Sequence, residues 1–156
     1  MDARLDYDNS EVLQKFGRHF NTAARTVTSA LPPATANLVL TRASQINGCA
    51  VCLDMHTKDA EHAGETSVRL NLVGAWRDAK VFTDAERAAL ELAEQGTRIA
   101  DGAGGVTDEA WTNAAKYYDS EQLGALVATI AVINAYNRLN VIMRNQGGDY
   151  TPGQWG

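Results

Sequence analysis

Asn47-Gly48 runs directly into Cys49-Ala50-Val51-Cys52-Leu53-Asp54-Met55-His56. Asparagine and glycine both tolerate the left-handed backbone that closes a helix, so the pair predicts a helix end. A new helix is expected at or just before Cys49. At about 100° per residue, Cys49, Cys52 and His56 then fall within roughly 60° of one another on one face. A corner between two helices therefore gathers both cysteines of the chain and one of its three histidines.

The rest of the chain fits around that corner. A first helix is expected from about Glu11 to Ser29, with Val12, Phe16, Phe20 and Ala23 as its apolar stripe. Leu31-Pro32-Pro33 ends it, and proline suits the first turn of the next helix, Ala34 to Ile46. That second helix carries Leu38, Val39, Ala43 and Ile46. The third runs to about His62, with Cys49, Cys52, Leu53, His56, Ala60 and Ala63 inward and Lys58, Glu61 and His62 outward. A short fourth, Ser67 to Arg77, presents Val68, Leu72, Val73 and Trp76.

Thr83-Asp84-Ala85-Glu86 is a capping box and opens a fifth helix to about Ile99. Thr107 or Asp108 starts a sixth, to about Tyr118, and Asp119-Ser120 caps the last, Glu121 to about Arg144. Leu123 to Ala135 is apolar almost all round, which marks a helix buried within the domain or between subunits. The tail, Gly147 to Gly156, reads as irregular, with Trp155 expected to dock on the body or on another subunit. No strand alternation occurs. The expectation is an all-α fold of about seven helices in one domain, residues 1–156.

Composition narrows the function classes. A hydrophobic content of 45% over 156 residues supports a real core. The net charge of -5, with no basic run, speaks against a nucleic-acid partner. Met1 to Ser10 contains no apolar signal core, and no apolar stretch is expected to reach the roughly 18 residues of a membrane span. A cytoplasmic protein follows as the expectation. Two cysteines so close in sequence close a tiny loop and make a poor staple. In a reducing compartment such a pair is more often catalytic or metal-binding.

The chemistry of such a face is redox chemistry. The thiolate is the nucleophile, and the helix amino terminus favours it, most of all at Cys49. His56 could relay a proton within hydrogen-bond reach. One sulfur attacks a peroxide, and the other condenses with the sulfenic acid to close a disulfide. Rival readings remain. The three groups could be a buried structural set, or three zinc ligands lacking a fourth, since His62 points off the face and His19 lies in another helix. A thioredoxin-type fold would need strands. The glycines of Gly102 to Gly105 do not form a phosphate cradle, and no haem, flavin or nicotinamide signature is present, so no bound cofactor is expected.

Ser44 to Thr57, with Cys-x-x-Cys followed by three residues and His after Ser-Gln-Ile-Asn-Gly, closely resembles the core motif of the alkylhydroperoxidase D (AhpD-like) family of the carboxymuconolactone decarboxylase superfamily. The likeness extends through Lys58-Asp59-Ala60, Gly64-Glu65, Trp76-Arg77 and Phe82 to Leu90, and returns at Ile133 to Leu139. It spans most of residues 35–140. The resemblance implies an all-α fold, a symmetric homo-oligomer (a trimer or hexamer) and thiol-dependent peroxidase activity. It also implies a dithiol, lipoylated or thioredoxin-like protein as reductant. Carried onto this chain, it makes Cys52 the peroxide-attacking sulfur, Cys49 the resolving one and His56 the proton relay.

Two positions depart from the family pattern. Asn37 stands where a relay glutamate is usual, and Val51 where some members carry histidine. An amide hydrogen-bonds but does not titrate in this range, so the relay is short of a group. Two other functions stay open: a lyase like the decarboxylase branch, with His56 as acid or base, and a non-enzymatic thiol sensor.

Overall fold

The computed structural model describes residues 2–102 and 104–154. Seven α-helices follow in order: α1 Glu11–Thr28, α2 Pro33–Asn47, α3 Ala50–His62, α4 Ser67–Leu72, α5 Asp84–Thr97, α6 Asp108–Ala114 and α7 Ser120–Met143. Short 3-10 turns at Tyr7–Asn9 and Val73–Ala75 complete the regular structure, and no strand occurs among the described residues. The all-α expectation holds.

Side chains close the helix starts. Ser10, Thr66 and Thr107 cap α1, α4 and α6. Thr83 and Glu86 form the capping box of α5, and Asp119 and Gln122 form one on α7. Each satisfies amides that the first turn leaves without partners.

The core is built between α2, α5 and α7, which pack on one another. Val39, Ala89, Leu92, Leu126 and Ile130 fill the space between them. A second apolar group, Leu38, Val73, Trp76, Phe82 and Leu90, seals the side facing α4. The alanines of α5 let α2 and α7 approach closely. α3 lies against α2 and, at its amino end, against α7.

Several expectations are corrected. Val12 is 76% exposed, and Phe16 and Ala23 are exposed too. The α1 stripe engages the body mainly through Phe20, whose ring stacks on Phe16 and meets Tyr136 of α7 edge-on. The fourth helix stops at Leu72 and tightens into a 3-10 turn, leaving Val68 60% exposed. Ala63 is exposed, not inward. α6 ends at Ala114 instead of Tyr118, because turns carry the chain from there to the Asp119 cap. α7 is long and apolar enough to cross a membrane by length and composition, against the expectation of no such stretch. Here it packs on α1, α2, α3 and α5. The tail is irregular as expected, and Trp155 lies outside the described residues.

Candidate functional site at the α2–α3 corner

Gly48 takes the left-handed conformation (φ 64°, ψ 35°) and ends α2. Its N–H reaches the Gln45 carbonyl, and the Cys49 N–H reaches the Ser44 carbonyl at 3.0 Å. This crossed pair satisfies carbonyls that the helix end would otherwise strand. The chain turns at once into α3. Cys49 is therefore not the first helical residue but the cap: its Sγ accepts the Cys52 N–H at 3.3 Å. The Cα atoms of Cys49 and Cys52 lie 5.4 Å apart, and the two sulfurs are bonded to each other. That separation is ordinary for a disulfide.

Both cysteines are buried, at 0% and 2% exposure. Ala43, Ile133, Leu40, Val51 and Tyr136 pack around them. Val51 thus stands as apolar lining. An open cleft of about 380 Å³ adjoins them, with Gly48, Cys49, Asn140 and Arg144 among its walls. Cys49 lines it; Cys52 lies behind.

Neutral amides tie this corner to α7. Asn47 Nδ2 donates to Asn134 Oδ1 and Asn137 Oδ1, each at 2.9 Å. Asn137 Nδ2 donates to Ser44 Oγ, which itself donates to the Leu40 carbonyl. Asn134 Nδ2 donates to Thr97 Oγ1 and to the Ile130 carbonyl. Asn140 Nδ2 donates to Cys52 Sγ at 3.5 Å. Sequence reasoning placed Asn134 and Asn137 only within a family likeness. Their spacing, with Asn140 three further on, is a polar line down one face of an apolar helix, and that was the available signal.

His56 lies one turn beyond Cys52, buried, with no partner for its Nε2. Burial pushes its pKa down to about 4, so the imidazole is neutral at ordinary pH. No hydrogen bond joins it to either sulfur among the described residues. Asn37 is half-buried in the first half of α2 and makes no hydrogen bond with Cys49, Cys52 or His56. The structure thus brings Cys49 and Cys52 together, while neither His56 nor Asn37 joins them through a hydrogen bond. No group of three or more His, Cys, Asp or Glu among the described residues is arranged to hold a metal ion.

The tail covers the outer side of α3. Gly148 and Tyr150 N–H groups donate to Asp54 Oδ2, and the Tyr150 hydroxyl donates to the Asp59 carboxylate. Lys58, expected to face solvent, instead donates to the Gly148 and Tyr150 carbonyls and pairs with Asp54 at 2.6 Å. Its hydrogen bond holds the Asp54 carboxyl below the usual carboxylate range. Gly147 lies so close to the first turn of α3 that a Cβ there would sit 2.5 Å from the Ala50 carbonyl oxygen.

Across α2 lies a charged cluster that the sequence did not reveal. Arg42 Nη2 meets Glu94 Oε2 at 2.7 Å, Trp76 Nε1 donates to the same oxygen at 3.1 Å, and Arg77 Nη1 meets Oε1 at 2.7 Å. Burial works against ionisation of Glu94, but the bonds from Trp76, Arg42 and Arg77 outweigh it and hold the carboxyl at about 2. Arg42 and Glu94 are far apart in sequence, and no local pattern links them.

The family model described as the carboxymuconolactone decarboxylase family matches residues 11–95, which include the whole cysteine corner. The uncharacterized protein YdfG of Bacillus subtilis (strain 168) is 41% identical over 118 residues, covering 76% of this chain and 79% of that protein. The uncharacterized protein YnjA of Escherichia coli (strain K12) is 35% identical over 116 residues, covering 74% of this chain and 62% of that one. Among solved structures, a protein of unknown function from Agrobacterium tumefaciens, described as a candidate antioxidant defence protein AhpD, superposes with a TM-score of 0.86 at 31% identity. It covers 96% of this chain and 100% of its own. The chain belongs to the carboxymuconolactone decarboxylase family, in its AhpD-like branch.

Proposed function

We propose that the protein is a thiol-dependent hydroperoxide reductase, or a disulfide oxidoreductase of the same kind, that cycles the Cys49–Cys52 bond. The observation that carries this reading is the pair itself: two sulfurs bonded at the start of a helix, beside a cleft that Cys49 lines. In the oxidative half, the Cys52 thiolate attacks the terminal peroxide oxygen. The O–O bond breaks, the alcohol leaves with a proton, and Cys52 becomes a sulfenic acid. Cys49 then attacks that sulfur, water departs and the disulfide closes. In the reductive half, a dithiol gives two electrons and the bond reopens. Cys49, not Cys52, is among the residues lining the cleft, which suits its meeting with a reductant, a lipoylated or thioredoxin-like protein.

His56 enters as a neutral imidazole, a weak proton acceptor at so low a pKa, and supplies no standing positive charge. Asn37 adds no titrating group. Slow turnover is the consequence, since general acid–base help is worth about 10²–10⁴-fold. The reading further places the protein in the cytoplasm as a homo-oligomer, with the exposed α1 stripe available for subunit contact.

The test is consumption of cumene hydroperoxide with a dithiol reductant. The parent protein should turn over, and Cys52→Ser should fall to background. One equivalent of peroxide should remove two hydrogens from the reduced parent by intact mass. A reduced parent that consumes no peroxide and exchanges with no disulfide would overturn the proposal.

A further inference from the structure

The Asn140 side chain is fixed at each of its polar atoms. Its Oδ1 accepts from Asn145 Nδ2 at 2.9 Å. Its Nδ2 donates to the Tyr136 carbonyl at 3.1 Å and to Cys52 Sγ at 3.5 Å. With the oxygen held by Asn145, the amide presents its N–H side to the sulfur and cannot flip without losing a bond. The same residue forms a wall of the cleft that Cys49 also lines.

The surroundings leave this amide a clear task. The apolar side chains packed around the sulfurs are Leu40 and Ala43 from α2, Val51 from α3, and Ile133 and Tyr136 from α7. None of them is ionised, since burial holds the Tyr136 phenol up at about 12. His56, one turn along α3, is uncharged as well. Arg144 is exposed at the rim of the cleft. The apolar side chains packed around Cys52 offer a thiolate no hydrogen bond, and a buried charge without a donor is costly. Asn140 is the side-chain donor in place.

We propose that Asn140 is a catalytic residue that stabilises the negative charge on Cys52 Sγ, and so fixes which sulfur leaves when the disulfide is reduced. The step balances. A reductant thiolate enters the cleft and attacks Cys49 Sγ. The Cys49–Cys52 bond breaks, a mixed disulfide forms at Cys49, and the electron pair leaves on Cys52 Sγ against the Asn140 N–H. The second thiol of the reductant then displaces Cys49 and carries away the oxidised pair. The retained Cys52 thiolate is the nucleophile for the next oxidant. The assignment rests on the thiol-redox reading above, but its test does not depend on turnover.

The test titrates each thiol alone, by thiolate absorbance at 240 nm. In the Cys49→Ser background, adding Asn140→Leu should raise the Cys52 pKa by about one unit, a tenfold loss of thiolate at neutral pH. Asn140→Asp keeps the shape and replaces the donor by an acceptor. It should raise the pKa further, and it carries the test if the leucine variant does not fold. In the Cys52→Ser background, Asn140→Leu should leave Cys49 where it was. A Cys52 pKa unmoved by either change in folded protein, or equal shifts at both sulfurs, would overturn the assignment. Shifted thiolates without any peroxide or disulfide turnover would overturn the redox reading, and with it the catalytic role, while leaving the Asn140–Cys52 interaction intact.

Discussion

Two polar clusters flank α2, and they are built from opposite materials. On the α5 side, Arg42, Arg77, Glu91 and Glu94 are ionised and paired, with Trp76 adding an N–H. On the α7 side, Asn47, Asn134, Asn137, Asn140 and Ser44 are neutral. The first is saturated with charge and has nothing left to give a newcomer. The second holds backbone and sulfur in place while leaving the balance of charge open. A redox pair needs the second kind, because a negative charge appears and disappears on sulfur during each cycle. Structural ion pairs next to the thiols would bias one state permanently.

The strongest way to break that comparison is Glu94→Ala at neutral pH. It strands Arg42 and the Trp76 N–H, and should cost about 3–4 kcal/mol, read as a lower urea midpoint at unchanged slope. A loss below about 1 kcal/mol would show that the cluster is surface decoration.

Acid separates the two regions by pH. His56 in the folded chain titrates at about 4 against 6.5 when free, so the unfolded state takes up its proton first. Its share of stability is therefore present above about 6.5 and lost as pH falls towards 4, by up to about 3 kcal/mol. Glu94, held at about 2 against 4.5, keeps its share above 4.5 and loses it between 4.5 and 2. Urea midpoints at pH 7, 5.5 and 4.5 should fall in the parent. In His56→Gln the part of that decline between pH 6.5 and 4.5 should disappear.

The smallest effect sharpens the neutral side. Asn137→Ala leaves Asn47 and Ser44 each short of a partner and should cost about 2 kcal/mol. In a double-mutant cycle with Asn47→Ala, the two losses should be less than additive, as expected for residues sharing one network. Full additivity would mean that the amides act separately.

The difference between the clusters also explains what could be read from the sequence. Local rules gave the helix order, the Thr83–Glu86 box and the left-handed Gly48, because each depends on neighbours within a few residues. Helical spacing pointed to Cys49 and Cys52 together, though Cys49 stands as the cap of α3 and not within it. Val68 and Val12 misled for the same reason: spacing places an apolar residue on a face but does not say whether anything covers that face. Arg42 with Glu94, and Asn47 with Asn137, join residues from separate helices, and only the packed structure brings them together. The neutral state of His56 likewise depends on burial, which no motif states.

The strap of residues 147–154 over α3 has a consequence in time. Synthesis proceeds from the amino terminus, and structure forms as chain becomes available. The helix carrying Cys49 and Cys52 is made long before Gly147 can press against Ala50 or Tyr150 can reach Asp59. Until residues 147–150 emerge, the outer side of α3 lacks the cover that they give it.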